Sequence, residues 1–244
     1  MADLSNKTYV VVGGSSGIGL ALTRTLAERG AEVQVWSRRR SDELDDLMQS
    51  HGTISHQELD VLQELDAAEL SIPEDVSGLA YCPGSISLGS FRQLKPDQYR
   101  EDYEINVIGA VKVLKLLLQP LSRNGGGAVV MFSTVASQIG LSFHASIAAA
   151  KGAVQGLART LAAELAGKNI RVNVIAPSAT DTPLAAGVLG SDKKRESSAE
   201  RHPLKRVGDA AEVAETASFL LSDDAGWITG QVLGVDGGLA TARP

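Results

Sequence analysis

The stretch "VVGGSSGIG", Val11 to Gly19, joins an apolar run to a helical pattern. Before it, "KTYVVVGG" (Lys7 to Gly14) is rich in β-branched residues and ends on glycine, as a buried strand does. After it, "IGLALTRTLAERG" places Ile18, Leu22 and Leu26 at helical spacing, with Gly30 as the expected C-cap. Gly13, Gly17 and Gly19 therefore form G-x-x-x-G-x-G between a strand and a helix. A side chain there would block the turn or hold a phosphate away. The helix N-terminus offers free N–H groups and partial positive charge to an anion. A glycine triplet alone is weak evidence, but this strand–turn–helix context favours a nucleotide site over a plain tight turn. Ser15, Ser16 and Ile18 belong to the same loop and are expected contacts.

Outward from this loop the pattern repeats. "AEVQVWS" reads as a second strand and "SDELDDLMQSHG" as a short helix capped by Ser41. "TISHQELD" and "VSGLAYCPG" read as the third and fourth strands, followed by a helical region from about Pro96 to Leu121. "GAVVMFST" is a fifth strand, Ala145 to Ala166 an alanine-rich helix, and "IRVNVIAP" a sixth strand. The polar stretch from Thr180 to Arg206 reads as a mobile insertion; a helix from Asp209 to Leu221 and a last strand, "QVLGVDGG", close the chain. Alternation on this scale implies an α/β parallel sheet with helices on both faces. Such sheets bind ligands outside the carboxyl ends of their strands, where the motifs fall.

Composition bounds the function. With 244 residues and no linker or repeat, one domain spanning 1–244 is expected. A net charge of −6 argues against a nucleic-acid partner, the arginines near residue 39 being a local exception. Cys82 is the single cysteine, which excludes an internal disulfide framework and fits a reducing cytoplasm. "MADLSNK" has no signal-peptide pattern, and no apolar run reads as long enough to span a membrane. No metal site is expected.

The chain resembles the short-chain dehydrogenase/reductase superfamily over nearly its whole length. The resemblance rests on the glycine loop, "INVIG" with Asn106, "GAVVMFST", the lysine of "IAAAKGAV", "RVNVIAPSATDTP" and "ITGQVLGVDGG". It implies a single-domain Rossmann-type, doubly wound parallel sheet of about seven strands, a nicotinamide cofactor and reversible hydride transfer with a small carbonyl or alcohol substrate. Its members commonly assemble as homodimers or homotetramers. NAD users of this fold place a carboxylate at the end of strand two, whereas NADP users place arginine nearby. Here "VWSRRR" puts Ser37 in the acidic slot, followed by Arg38, Arg39 and Arg40. Guanidinium binds a 2′-phosphate through charge-assisted bonds, so NADP (NADPH) is expected, with Ser37, Arg38 and Arg39 as contacts. The competing reading is a solvated charge run. By resemblance, Asp60 bonds the adenine with Val61 beside it, although Asp60 could equally be the N-cap of a following helix. Pro83, Gly84 and Pro177 border the cofactor, and Thr180 and Thr182 touch its carboxamide side. Residues 178–206 resemble a substrate lid.

The resemblance also assigns the reaction centre. Asn106 matches the asparagine that supports a proton-relay water, Thr134 the substrate-binding hydroxyl, and Lys151 the lysine that holds the nicotinamide ribose. Ile147 occupies the tyrosine slot and brings no hydroxyl. Three further departures are Val12, "YCPG" (Tyr81 to Gly84) and Ser178, the last two expected to border the nicotinamide. Tyr81 could enter the crevice. His144 lies three residues before Ile147, so within a helix it would share that face, and imidazole can act as a general acid. A structural loop histidine is the alternative. Two functions follow: an NADP(H)-dependent oxidoreductase with a non-standard centre, or an NADP(H)-binding pseudoenzyme kept as a sensor or assembly partner.

Overall fold

The computed structural model describes residues 3–242, so the two residues at each end of the expected 1–244 domain lie outside the described residues. The elements run β1 (Thr8–Val12), α1 (Gly17–Glu28), β2 (Glu32–Ser37), α2 (Asp42–Ser50), β3 (Ile54–Glu58), β4 (Gly78–Tyr81), α3 (Pro96–Tyr103) and α4 (Gly109–Arg123). There follow β5 (Gly127–Phe132), α5 (Ala145–Leu165), β6 (Ile170–Pro177), β7 (Thr180–Asp181), α6 (Ala186–Leu189), α7 (Asp192–Arg201), β8 (Gly208–Asp209), α8 (Ala210–Leu221) and β9 (Val232–Val235). Seven strands form one sheet in the order β3-β2-β1-β4-β5-β6-β9, and every pairing in it is parallel.

Parallel strands covered on both faces need apolar residues at successive positions, and β1 supplies them. Val11 points into a core with Leu22 and Leu26 of α1, Leu44 of α2 and Val213 of α8. Val10 and Val12 point the other way, toward Val113 and Leu117 of α4 and Val154 and Ala158 of α5. Each large aliphatic side chain removed from water in this way contributes about 1.5–3 kcal/mol.

The chain leaves β1 for β2 and β3 on one side, then returns to place β4 on the other. Strand order, not strand direction, reverses at the parallel β1/β4 pair, which opens a crevice beyond their carboxyl ends.

Three expectations change. The segment read as a mobile insertion is built: it contains α6, α7 and β7, which pairs in parallel with β8. Leu189, Ser198 and His202 bury themselves to anchor it. The helical stretch Pro96–Arg123 does contain an 18-residue window apolar enough to cross a membrane by composition. Half of that window is buried, because its apolar face packs on the sheet. Tyr81 does not enter the crevice. It is buried beneath α4, and its hydroxyl donates to the Ile105 carbonyl at 2.6 Å.

Candidate active site

The glycine loop is shaped by two left-handed residues and one close approach. Gly13 has φ +73° and Gly17 φ +52°, a region that disfavours side chains. A Cβ on Gly19 would lie 2.2 Å from the Gly13 carbonyl oxygen, so α1 can start this close to the turn only with glycine there. Ser16 is the N-cap of α1, yet its side chain makes no capping hydrogen bond. The first-turn N–H groups are thus left to an anion. Ser15 and Ile18 line the same groove of about 470 Å³.

The far corner of this groove holds the arginines. Arg38 and Arg39 are exposed and make no side-chain hydrogen bond or ion pair among the described residues. Arg40 is diverted to Asp45, 3.2 Å away on α2. The Ser37 hydroxyl is buried, 2.8 Å from the Arg39 carbonyl and 2.9 Å from His56 Nε2. Ser41 caps α2 as expected, accepting from Leu44 N–H at 3.1 Å, and its hydroxyl also donates to the Ser15 carbonyl at 2.7 Å. Asp60 and Val61 line the groove. Asp60 accepts from Leu62 N–H at 3.0 Å within a turn, and no helix follows it, so the N-cap alternative is corrected.

Pro83 and Gly84 line the near wall, and Thr182 reaches across to within contact of Gly17. Pro177 ends β6, and Thr180 is buried, donating to the Ser178 carbonyl; neither lines the groove. The Ser178 hydroxyl faces away from it. It is 2.8 Å from Nε2 of the buried His202, on the wall of a separate cavity, so the expectation that Ser178 borders the nicotinamide is corrected.

Asn106, Lys151 and Gly84 converge beyond the carboxyl end of β4. A Cβ built on Gly84 would stand 3.3 Å from Asn106 Oδ1 and 3.7 Å from Lys151 Nζ. Asn106 lies in a π-helical turn, Glu104–Ile108, between α3 and α4, a distortion common at functional sites. Its Oδ1 is buried and has no hydrogen-bond partner among the described residues. Lys151 is 8% exposed and donates to the Phe132 carbonyl at 2.8 Å. Burial pushes its ammonium down to about 8, against the raising effects of Cys82 and Asp102. Burial raises the Cys82 thiol to about 12, so it is not a nucleophile near neutral pH.

Thr134 follows β5 as the N-cap of a short 3₁₀ turn, accepting from Ala136 N–H at 3.3 Å. Its hydroxyl proton is donated to no partner among the described residues. Ile147 is buried in the first turns of α5, four residues from Lys151. His144 is the N-cap of α5, with φ −108° and ψ 13°. It is not helical, so the shared-face argument for it fails. Its Nδ1 donates to the Ser142 carbonyl at 2.7 Å, leaving Nε2 as the group that could exchange a proton.

Comparison with known proteins adds to this geometry. Residues 12–240 match the family model described as enoyl-(acyl carrier protein) reductase. The chain belongs to the short-chain dehydrogenase/reductase superfamily. A 2,5-dichloro-2,5-cyclohexadiene-1,4-diol dehydrogenase of Sphingobium indicum is 32% identical over 249 residues, covering 98% of each chain. A short-chain type dehydrogenase/reductase from Mycobacterium ulcerans superposes with a TM-score of 0.89 at 31% identity, over 98% of this chain and 91% of that one. An actinorhodin polyketide ketoreductase solved with NADPH gives 0.89 at 27% identity, over 97% and 98%.

This short-chain dehydrogenase/reductase carries one feature that sequence reading missed. Asp102, fully buried on α3, lies beside Ser85 and Ser146 next to the centre. The signal was its position four residues before Asn106 on a helix, which puts both on one face. The neighbouring charges of "REDYE" disguised it as part of a solvated surface.

Proposed function

We propose that the protein is a cytoplasmic NADP(H)-dependent oxidoreductase acting on a small carbonyl or alcohol through a non-standard catalytic centre. The observation that carries the cofactor choice is the arginine corner. The Arg38 and Arg39 side chains have no partner among the described residues, and the slot at the end of β2 holds serine instead of a carboxylate. Two unpaired guanidinium groups beside a phosphate groove suit a 2′-phosphate. The ketoreductase solved with NADPH supports the same choice.

The residues fit such a cofactor. Gly13, Gly17 and Gly19 leave room for the pyrophosphate, and the uncapped start of α1 supplies its donors. Lys151 and Asn106 would face the nicotinamide ribose and the substrate with an ammonium and a free amide oxygen. When bound, the dinucleotide supplies or accepts the hydride. Thr134 can donate its hydroxyl proton to a substrate oxygen. His144 Nε2 is one source of the reaction's proton, and a bound water is another. Residues 178–206 act as the lid, with Thr182 seated on Gly17.

The test is calorimetry with both cofactors. NADPH should bind tightly and NADH weakly. Arg38→Ala should weaken NADPH by about 2 kcal/mol, the scale of a hydrogen bond to a charged group, and leave NADH unchanged. Equal constants for both cofactors would overturn the assignment. Turnover on a carbonyl panel then separates an enzyme from an NADP(H)-binding protein without activity. One observation favours the inactive reading: the buried Ile147 presents only apolar atoms.

The protein is also expected to be a homodimer or homotetramer. Gly152 and Gly156 on the exposed side of α5 have open space where a Cβ would stand, which suits close helix packing between copies. A monomer mass by light scattering at micromolar concentration would refute this.

A further inference from the structure

Asp102 has no exposed surface. A carboxylate in such a place requires hydrogen-bond partners. Ser85 donates to Oδ1 at 2.6 Å and Ser87 at 3.3 Å, while Ser146 donates to Oδ2 at 2.6 Å. Ser146 lies in the first turn of α5, a helix of 21 residues, whose dipole favours an anion at that end.

The hydrogen bonds from this group have a direction. A carboxylate only accepts. The single proton of Ser85 is therefore committed to Asp102, and the Ser85 oxygen is left to accept. Asn106 Nδ2 donates to it at 3.3 Å and to the Asp102 backbone carbonyl at 2.7 Å. With its amide nitrogen held on that side, Asn106 must turn Oδ1 toward the gap beside Gly84 and Lys151. Such a network, more than shape, decides the orientation of an amide.

We propose that Asp102 is a positioning residue for the reaction centre: it directs the Asp102–Ser85–Asn106 chain so that Asn106 presents an acceptor to the gap, and its charge balances the Lys151 ammonium. This rests on the oxidoreductase reading of Asn106 and Lys151. The titratable groups acting on Lys151 are Cys82, at the end of β4, and Asp102, from α3. The thiol stays neutral until about pH 12, so Asp102 is the counter-charge over the working range. The gap then pairs a cationic donor with an amide acceptor. That pair suits a hydroxyl, which both accepts and donates: an alcohol substrate or a water.

The experiment uses the full chain without cofactor, labelled with ¹³C at the lysine Cε. The Lys151 signal is assigned by its loss in Lys151→Met. Asp102→Asn keeps the shape, removes the charge and introduces a donor toward Ser85. The Lys151 midpoint is expected to fall by about one pH unit, the lower end of what a nearby opposite charge does. A folded Asp102→Asn protein with an unmoved midpoint would overturn the proposal. If that variant does not fold, Ser85→Ala tests the direction of the chain with the charge intact. The Asn106 side-chain amide protons should then shift and exchange faster with solvent, and unchanged signals would overturn the proposal. Failure of the NADP(H) reading would show separately, as absent binding in calorimetry.

Discussion

The nucleotide end of the crevice is made by two short stretches, Gly13–Gly19 and Ser37–Ser41, each following its own strand. The chemical end is assembled from β4, the continuous α3 and π-helical turn, the segment after β5 and α5, which are spread along the chain. The first end needs backbone N–H groups, absent side chains and exposed guanidinium, and local sequence dictates all three. The second needs particular side chains to meet, which only packing arranges. The lesson is that an apparently altered centre need not mean an altered crevice. Val12, Cys82 and Ser178 depart from the resembled pattern, yet Gly13, Gly17 and Gly19 still hold the turn, and Ser178 faces another cavity.

The sharpest way to break this contrast is Ile147→Tyr. If the chemical end lacks only an acid, a phenol one turn from Lys151 should raise NADPH-driven reduction of small ketones. The gain is bounded by the general-acid factor of roughly 10²–10⁴, or about 3–5 kcal/mol of barrier. The variant must still bind NADPH for the result to count. Normal binding with no reduction across a carbonyl panel would mean that the two ends differ by more than one side chain.

A smaller effect probes the other end. Gly19→Ala forces a methyl against the Gly13 carbonyl at 2.2 Å. Overpacking of this kind costs about 3 kcal/mol when backbone must move. Urea unfolding should show that loss, and calorimetry should show NADPH binding weakened with it. A stable variant with full affinity would show that the loop is less constrained than its geometry indicates.

The smallest effect is a change of sign. Lys151 is buried, and its ammonium is held at about 8 against an ordinary 10.5. Below about pH 8 the folded and unfolded chains both carry the proton, and the full cost of burying it is present. Between about 8 and 10.5 only the unfolded chain keeps the proton, so stability rises with pH. Above 10.5 the cost is gone. Lys151→Met should therefore stabilise the cofactor-free protein at pH 7 by about 1 kcal/mol, after allowing for the lost hydrogen bond to Phe132. The advantage should vanish above pH 10.5. Thermal unfolding at both ends of this range checks it, and a Lys151→Met protein less stable at pH 7 would overturn it.

The seven-strand sheet was legible because β-branched runs alternate with helical spacing, with glycine at several of the turns, as at Gly13, Gly30 and Gly126. The built character of residues 178–206 was not. Its helices are short and polar, and β7 and β8 are two residues each, held by a pairing that joins segments far apart in sequence. Tyr81 looked free at a strand end because nothing in "AYCPG" announces that α4 will cover it. His144 could share the Ile147 face only inside a helix, and α5 begins one residue later, so that single position removes the shared face. Asp102 was hidden because burial of a charge depends on hydroxyls from two other segments, Ser85 and Ser146.

One hydroxyl in the groove has a consequence for how a dinucleotide is recognised. Ser41 accepts from the start of α2, just after the arginines, and donates to Ser15 in the glycine loop. The two contact regions are thereby fastened together. An adenosine fragment that ordered the arginine corner would also order the pyrophosphate loop. On the proposed NADP(H) reading, half-ligands should then bind with non-additive energies, and substitutions at the arginine corner should alter affinity for the whole cofactor as well as its 2′-phosphate.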